Sequence, residues 1–218
     1  MENTKKIQNV SKATIGRLPA YHRYLKEKLA AGETSVSSTA VAEELHLNAV
    51  QVRKDLAVIS SVAGKPKRGF GIADLIEDID RILGYDNVTD AVIVGAGGLG
   101  SALIGYSGFK AYGLNIVAAF DSDPTRIDTQ IGGVKVFDAA DIVKLVRRLN
   151  VLIGIIAVPK GAAQEVADKL VEGGVRAIWN FAPVHLNLPA NVAVKNEDMA
   201  ASLAILSKRL AEILSSEK

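Results

Sequence analysis

From residue 91 onward, short apolar runs alternate with segments of helical periodicity. The runs are continuous and rich in β-branched residues, which is typical of strands buried on both faces of a parallel sheet. Between them, helices are expected at residues 139–149, with Asp138 as N-cap, and at residues 162–172, which a Gly-Gly pair ends. This alternation predicts a Rossmann-like, doubly wound α/β domain with a parallel sheet. The expected strands are residues 91–94, 116–120, 151–158 and 177–179, with a weaker one at 192–195.

The first 72 residues instead predict a series of short helices. Pro19 falls within the first helical pattern and is expected in its first turn or at a kink, because proline lacks the backbone N–H that a helix interior needs. Gly32 ends that segment, and Ser38 can cap a short second helix that runs to Leu45. The apolar face of the first helix consists of Leu18, Tyr21, Leu25 and Leu29.

A third helix is indicated after a tight turn, with Asn48 as its N-cap and Gln51 placed to complete a capping box. Helical spacing turns Val52, Leu56 and Ile59 inward. Two short helices joined by a tight turn, the second with a basic outer face, are typical of a helix-turn-helix. The residues expected on that outer face are Gln51, Arg53 and Lys54.

The segment 64–71 follows the third helix and cannot itself be helical, because its cations lie between glycines and a proline. We expect a turn or a β-wing beside the third helix. A further amphipathic helix is expected over residues 74–83, and residues 84–87 are expected to link a DNA-binding domain, 1–84, to the Rossmann domain, 87–196. The cations of the expected wing are Lys65, Lys67 and Arg68.

Charge is unevenly distributed along the chain of 218 residues, whose net charge is only +2. Residues 1–72 hold 12 Lys and Arg against 6 Asp and Glu, whereas residues 73–218 hold 14 against 18. The basic N-terminal part suggests that this region binds a polyanion. The alternative is chance variation of charge over a short window.

Composition narrows the class of protein further. The chain has no cysteine, which excludes disulfides, thiolate metal sites and redox sensing by a thiol. No apolar run approaches the ~20 residues of a membrane span, and the N-terminus lacks the apolar stretch of a signal peptide. We therefore expect a cytoplasmic protein without a membrane or metal partner.

A glycine-rich turn follows the first expected strand and opens a helix, which is the context of a dinucleotide fingerprint. Gly95 would make the tight turn, Gly97 would let backbone N–H groups approach a pyrophosphate, and Gly100 would let the helix pack closely. The helix N-terminus adds unpaired donors and a positive dipole end. A glycine turn in a fold without ligand is the alternative. The turn consists of Gly95, Ala96, Gly97, Gly98, Leu99 and Gly100.

The acidic residue Asp121 stands at the end of the next strand, 21 residues past Gly100. It would accept hydrogen bonds from the adenosine ribose and repel a 2′-phosphate, which favours NAD(H) over its phosphorylated form. Val158 and Pro159, just past the following strand, are a second expected contact, because ligands of such sheets lie beyond the carboxyl ends of the strands.

The sequence gives only weak evidence for residues that could catalyse hydride transfer. His22 and His46 are expected on helix surfaces, and His185 lies in a loop without a partner carboxylate nearby in sequence. Tyr106 and Lys110 match the Tyr-x-x-x-Lys spacing of short-chain dehydrogenases, but too early in the chain for that active site. No enzyme is therefore predicted. A small NAD-dependent oxidoreductase and a DNA-binding protein with a degenerate nucleotide fold remain the alternatives.

Five short segments, in this order, resemble the Rex family of bacterial redox-sensing transcriptional repressors over about residues 13–206. That resemblance implies a winged helix-turn-helix domain, a Rossmann domain that senses NAD(H), and a homodimer with a domain-swapped C-terminal helix, residues 197–218. It further implies a repressor of fermentative and respiratory genes that binds a palindromic operator in double-stranded DNA and leaves it when NADH binds. The segments are residues 51–56, 69–71, 95–106, 120–124 and 180–184.

The resemblance also implies a redox relay, with Tyr106 near the nicotinamide, Asp198 reaching in from the partner's swapped helix and Arg23 from the winged helix. Met199 departs from the pattern, since the family usually has an aromatic residue there. The terminal segment carries an apolar stripe that fits a swapped helix, although such a stripe could equally pack on its own domain. The stripe is formed by Leu203, Leu206, Leu210 and Ile213, widened by Ile205 and Leu214.

Overall fold

The computed structural model describes residues 10–62, 64, 69–86 and 89–216. The chain divides into two compact units, residues 1–87 and 88–218, and each has hydrophobic clusters of its own. Within the described ranges, no helix combines the length and the apolarity that crossing a bilayer requires.

Among its described residues, the N-terminal unit contains four helices and a two-stranded antiparallel sheet, in which Ser35 pairs with Gly71 and Val36 with Phe70. Phe70 and Gly71, at the end of the segment expected to form a turn or β-wing, are therefore in a strand, whereas residues 65–68 of that segment lie outside the described residues. The elements are α1 (Lys12–Ala30), β1 (Ser35–Val36), α2 (Ser38–Glu44), α3 (Ala49–Ile59), β2 (Phe70–Gly71) and α4 (Ile72–Leu83).

The core of this unit forms where the apolar faces of α1, α3 and α4 meet. Leu18, Tyr21 and Leu25 of α1 are fully buried, as their spacing predicts. Leu29 is an exception, because it lies near the end of α1 and is exposed. The core residues from the other two helices are Val52, Leu56 and Ile59 of α3 and Ile72, Leu75 and Ile79 of α4.

Two details of these helices correct the expectations from sequence. Of the two positions expected for Pro19, the first turn is wrong, because α1 begins at Lys12, where the Ser11 side chain accepts from the backbone N–H of Thr14, and Pro19 lies inside the helix. The kink stays a prediction. The N-cap of α2 is Ser37, whose hydroxyl accepts from the N–H of Ala40, and the prediction of Ser38 was one residue late. Serine caps equally well at either position, so the sequence pattern alone could not separate the two.

The C-terminal unit is built on a seven-stranded sheet. Its strands are β3 (Thr89–Val94), β4 (Leu114–Asp121), β5 (Gln130–Ile131), β6 (Val134–Asp138), β7 (Ile153–Ile156), β8 (Ala177–Asn180) and β9 (Ala193–Asn196). Its helices are α5 (Gly98–Ile104), α6 (Gly108–Ala111), α7 (Ile142–Leu149), α8 (Ala163–Gly173) and α9 (Met199–Ser216).

The strand order is β5-β6-β4-β3-β7-β8-β9. All neighbours pair in parallel except β5 and β6, which form an antiparallel hairpin. The chain moves outward in one direction from β3 through β4 and β6, then returns to β7 on the other side of β3. The point between β3 and β7 is therefore the topological switch point, where open α/β sheets place their ligands.

Continuous apolar strands are explained by burial on both faces of this sheet. Val92 and Val94 of β3 pack into the cluster that includes α7 and α8. Ala91 and Ile93 of the same strand belong to a second cluster on the opposite face. Because alternate residues of a strand point to opposite faces, both sets must be apolar.

The structure also differs from the sequence prediction in this unit. β7 covers only the middle of the predicted run 151–158, and short 3-10 turns precede α7 and α8. The hairpin of β5 and β6 was not predicted, because β5 has only two residues and shows no periodicity. Every residue of α9 is exposed on the single chain.

Candidate functional site

The glycine-rich turn lies at the switch point, between the end of β3 and the end of β7. Gly95 has φ +98°, a conformation that strongly favours glycine, and a Cβ at this position would lie 2.5 Å from the carbonyl oxygen of Ala157. A Cβ on Gly100 would overlap the carbonyl of Gly95. Both glycines are thus required by close backbone packing, which lets the turn and α5 sit tightly against the sheet.

The middle of the turn is open. A Cβ on Gly98 would meet no atom within 4 Å, and no side chain caps the N-terminus of α5, whose N-cap is Gly97. Leu99 follows in the first turn of the helix and is exposed. The first N–H groups of α5 therefore remain available to an anionic group, which is the donor set that a pyrophosphate needs.

Asp121 ties this turn to the end of β4. One carboxylate oxygen accepts from the backbone N–H of Ala96 at 2.7 Å and the other accepts from the N–H of Asp123 at 2.9 Å. These bonds aim the carboxylate along the turn and leave each oxygen a further lone pair. The side chain therefore both shapes the turn and retains acceptors for ribose hydroxyls.

A cleft of about 460 Å³ opens here, a size suited to a cofactor-like ligand. It brings together five residues predicted from sequence: Gly95, Gly97, Asp121, Val158 and Pro159.

Arg126 also lines this cleft, and sequence reasoning missed it. Its guanidinium donates to the carbonyl of Ala96 at 2.6 Å and to the carboxylate of Asp123 at 3.3 Å. Hydrogen bonds from Thr125, together with Arg126, hold the pKa of Asp123 below its ordinary value. The site thus holds open backbone donors, a cation and a carboxylate, a set that fits the pyrophosphate and ribose of a dinucleotide.

Tyr106 does not line this cleft. It follows α5, is 52% exposed, and lines a second cleft of about 510 Å³ with Lys110, Asn115 and Gly132 among the other lining residues. Its ring makes an edge contact with Phe109, with centroids 4.9 Å apart.

The other two proposed relay residues lie elsewhere. Asp198 is exposed and caps α9, its carboxylate accepting from the N–H of Ala201 at 2.8 Å. Arg23 is exposed on α1 in the N-terminal unit. Within a single unit, therefore, the structure does not bring the three relay residues together, and their joint role stays a prediction.

A chain of aromatic rings connects Tyr106 to strand β8 and, through a hydrogen bond, to the segment that precedes α9. Phe109 contacts Trp179 of β8 at 5.6 Å between centroids, and Trp179 contacts Phe181 at 4.9 Å. The indole Nε1–H of Trp179 donates to a carboxylate oxygen of Glu197 at 2.8 Å. The rings therefore run from the edge of the second cleft to the residue next to Asp198.

The outer face of α3 carries the side chains expected to contact DNA. Gln51, Arg53 and Lys54 are all exposed, and Val50, which sequence reasoning did not single out, is 63% exposed. Asn48 caps the helix by accepting from the N–H groups of Val50 and Gln51. Lys65, Lys67 and Arg68, expected to contact phosphate or the minor groove, lie outside the described residues.

The capping box expected at Asn48 is only half made, because the side chain of Gln51 donates to Asp55 instead. Asp55 lies on the inward face of α3 and also accepts from Thr14 and Tyr21 and, through two bonds, from Arg17. Burial alone would raise the pKa of Asp55, but these hydrogen bonds outweigh it and leave the pKa below its ordinary value.

Burial and the bond to Asp55 raise the pKa of Tyr21 to about 12. Asp55 is therefore a carboxylate at neutral pH, and Tyr21 is a hydroxyl donor to it. Sequence reasoning missed this cluster, although an acid at a core-facing helix position was a visible signal.

The histidines show no catalytic arrangement. His22 is 1% exposed, with Nε2 2.7 Å from a carboxylate oxygen of Asp80, and the expectation that it lies on the helix surface was wrong. Desolvation lowers the pKa of His22 despite the nearby Asp80 charge. His46 is exposed after α2, and His185 is exposed in a loop. No group of three or more potential metal ligands occurs within the residues described.

The fold and these sites define a DNA-binding protein of the winged-helix type that carries a Rossmann nucleotide-binding domain. A family model described as "CoA binding domain" matches residues 86–184, and one described as "Putative DNA-binding protein N-terminus" matches residues 9–57. The redox-sensing transcriptional repressor Rex of Desulforamulus reducens is 44% identical over 94% of this chain and 98% of its own length. The chain belongs to the Rex family, which confirms the resemblance drawn from its motifs.

Solved structures agree with this placement. A crystal structure of RSP, a Rex-family repressor, in complex with β-NAD⁺ and operator DNA has a TM-score of 0.87 and 36% identity, covering 95% of each chain. The complex of RSP with β-NADH has a TM-score of 0.84 and 36% identity, covering 96% of this chain and 99% of that chain. The predicted fold of a winged helix followed by a Rossmann-like sheet is thereby confirmed.

Proposed function

We propose that this protein is a cytoplasmic, homodimeric transcriptional repressor that binds a palindromic operator and leaves it when NADH binds. The observation that carries the proposal is the pairing, in one chain, of an open dinucleotide cleft at the switch point with an exposed basic helix on a winged-helix scaffold. Rex-family relatives over nearly the whole chain, one of them solved with operator DNA, support the same reading.

The ligand that fits the cleft best is NAD(H). The turn from Gly95 to Gly100 would hold the pyrophosphate, Asp121 would bind the adenosine ribose, and Val158 and Pro159 would lie against the ligand beyond β7. Arg126 adds a cation on the same side of the cleft. A carboxylate at the ribose disfavours a 2′-phosphate, so we expect NADP(H) to bind more weakly.

We propose that the dinucleotide is a signal and undergoes no reaction. NAD⁺ carries a cationic nicotinamide ring and NADH a neutral one, so charged residues that approach the ring can distinguish the two forms. Asp198 from the partner chain, with Arg23 and Tyr106, would form that relay. Adding or removing the partner of a buried charge changes the free energy of the site by a few kcal/mol. A difference on this order is enough to shift a dimer between two conformations.

DNA binding would use α3 in the major groove. Gln51, Arg53 and Lys54 would face the bases and the adjacent phosphates, and Lys65, Lys67 and Arg68 of the wing segment would contact phosphate or the minor groove. A dimer presents two such helices to the two halves of a palindrome, which matches protein symmetry to operator symmetry.

The dimer itself is supported by α9. Its apolar stripe is uncovered on the single chain, with Leu203, Leu206 and Leu210 all more than half exposed. An uncovered stripe of this length is unfavourable in water. A second copy of the chain, exchanging α9, would cover it.

The decisive test is release of the protein from labelled operator DNA, with the operator selected by the protein from a random duplex library. NADH should displace the protein, and NAD⁺ at equal concentration should not. The double variant Arg53→Ala, Lys54→Ala should lose operator affinity while still binding NADH, which separates the two sites. Operator affinity that does not change when NADH is added, or steady oxidation of NADH by small aldehydes or ketones, would overturn the proposal.

A further inference from the structure

The side chain of Gln51 is held in one orientation although it lies on the exposed face of α3. Its Nε2–H donates to a carboxylate oxygen of Asp55 at 2.9 Å, one helical turn further along the same helix. Exposed glutamines usually sample several rotamers, and a fixed one on a DNA-facing surface limits which base edges it can bind.

Asp55 decides which end of the Gln51 amide points inward. Its side chain is 2% exposed and accepts from Arg17 at 2.7 and 2.9 Å and from Tyr21 at 2.8 Å. An ionised carboxylate only accepts hydrogen bonds. The amide oxygen of Gln51 would be repelled there, so the NH₂ group faces Asp55 and the carbonyl oxygen faces outward.

The groups that Gln51 offers to DNA follow from this orientation. Its Oε1 has no hydrogen-bond partner among the residues described, and one of its two Nε2–H atoms remains free. One acceptor beside one donor matches the major-groove edge of adenine, which presents the N6 amino group beside N7. Guanine presents two acceptors there, N7 and O6, and an outward carbonyl oxygen is repelled by O6.

We propose that Gln51 is a specificity-determining residue that reads an adenine in each operator half-site, and that Asp55 is the residue that positions it. This inference rests on the proposed function, in which α3 enters the major groove. Because Asp55 pre-orders the side chain before DNA arrives, less conformational entropy is lost on binding, and discrimination between bases gains accordingly.

The same cluster joins α3 to α1, since Thr14, Arg17 and Tyr21 all belong to α1. Tyr21 and Arg17, which donate to Asp55, lie 34 and 38 positions before it in the sequence. Contacts distant in sequence therefore hold the carboxylate that orients the side chain of Gln51.

The test is a binding series on operators in which every base pair of one half-site is replaced in turn. The wild type should prefer adenine at one position by about 5- to 150-fold, the range of a bidentate contact. Gln51→Ala should abolish that preference at this position and leave the others unchanged. A Gln51→Ala protein that weakens all operators equally, loses discrimination at a G·C pair, or discriminates as the wild type does would overturn the inference.

The positioning role is tested by two further variants. In Asp55→Asn the residue can turn its own NH₂ toward Gln51, which should turn the Gln51 carbonyl inward and reduce the preference for adenine at least several-fold. Tyr21→Phe removes a different donor to Asp55 and should keep the preference. Adenine discrimination unchanged in Asp55→Asn, or lost in Tyr21→Phe while the protein remains folded by circular dichroism, would refute positioning by Asp55.

If Asp55→Asn does not fold, Gln51→Glu replaces it as the test. A glutamate cannot donate to Asp55 and presents only acceptors, so the preference should move from adenine toward cytosine, whose N4 amino group is a lone donor in the groove. An unchanged adenine preference would then overturn the inference. Failure of the wild type to bind any operator specifically, or to be released by NADH, would instead contradict the proposed function itself.

Discussion

The indole N–H of Trp179 donates to the carboxylate of Glu197 at 2.8 Å and so ties strand β8 to the residue that precedes the start of α9 by two positions. The backbone N–H of Glu197 also donates to the carbonyl of Asn180 at 2.8 Å. Two bonds of different kinds thus fix the place where α9 leaves the sheet. The start of the terminal helix is therefore anchored to the Rossmann unit.

Replacing the tryptophan tests how much this tie contributes. Trp179→Phe keeps an aromatic ring but removes the donor, and the loss of one hydrogen bond should lower the free energy of unfolding by about 1 kcal/mol. Some further loss from the smaller ring is expected. Urea unfolding followed by circular dichroism gives the value. Glu197→Gln retains an acceptor and should cost less than Glu197→Ala, and equal losses in those two would contradict the hydrogen-bond account.

Asp121 should govern both the shape of the glycine turn and the choice of dinucleotide. Asp121→Ala leaves the Ala96 N–H without its acceptor and removes the ribose ligand, so NADH affinity should fall at least about 10-fold, as expected for loss of a charged hydrogen-bond acceptor. The ratio of NADPH to NADH affinity should rise, because the charge that repels a 2′-phosphate is gone. Isothermal titration calorimetry measures both. An unchanged ratio would argue that Asp121 only shapes the turn.

Alanine substitutions at two glycines of the turn provide a test variant and its control. Gly95→Ala places a side chain at φ +98° against the carbonyl of Ala157 and should cost at least about 1–2 kcal/mol of stability, with loss of NADH binding. Gly98→Ala meets no protein atom within 4 Å and should leave thermal stability unchanged. Differential scanning calorimetry compares them, and similar melting temperatures for both variants would contradict the packing described for Gly95.

Asp198 has a structural role as a helix cap beside its proposed role in the relay, and two variants separate them. Asp198→Asn keeps an oxygen that can accept from the Ala201 N–H but removes the charge, so stability should be retained and the response to NADH lost. Asp198→Ala should lose the response and, in addition, about 1 kcal/mol of stability. NADH titrations of the operator complex and thermal melts give the two readouts. An Asn variant that NADH displaces as readily as the wild type would exclude the charge relay.

The apolar stripe of α9 predicts a dimer that a single charge disrupts. Leu206→Glu places a carboxylate in the centre of the stripe and should shift the protein toward monomer in sedimentation velocity runs, because a buried charge without a partner costs several kcal/mol. Ala204→Glu, on the opposite side of the same helix, is the control and should remain dimeric. Monomer in both variants, or dimer in both, would contradict an interface built on this stripe.

Local sequence signals predicted the elements well and the long-range polar contacts poorly. Continuous apolar runs identified four strands of the sheet, because burial on both faces leaves no other pattern. The fifth, β9, was predicted from a weaker pattern, and its first three residues are exposed. The two-residue strand Gln130–Ile131 has no such signal. Arg126 reaches Ala96 across 30 residues and Arg17 reaches Asp55 across 38, and pairings of that kind depend on how the helices and strands pack.

The same limit applies to roles assigned within the site. Spacing identified Gly95 and Asp121 because the turn and the acid are fixed by a strand–turn–helix unit that is local in sequence. Gln51 was correctly predicted to be exposed, but its partner was not, since a capping box and a bond to Asp55 both satisfy the same helix position. Choosing between them requires the position of α1, which places Arg17 and Tyr21 around the carboxylate.

The bare stripe of α9 has a consequence for the life of the protein in the cell. If a second chain must cover it, each newly synthesised copy stays incomplete until it meets another, and both melting temperature and resistance to proteolysis rise with the amount of protein present. The expression level then affects the amount of folded repressor in two ways. It sets the number of molecules made and the fraction of them that escapes proteolysis. When little of the protein is synthesised, the amount of folded repressor falls more than in proportion to the amount synthesised.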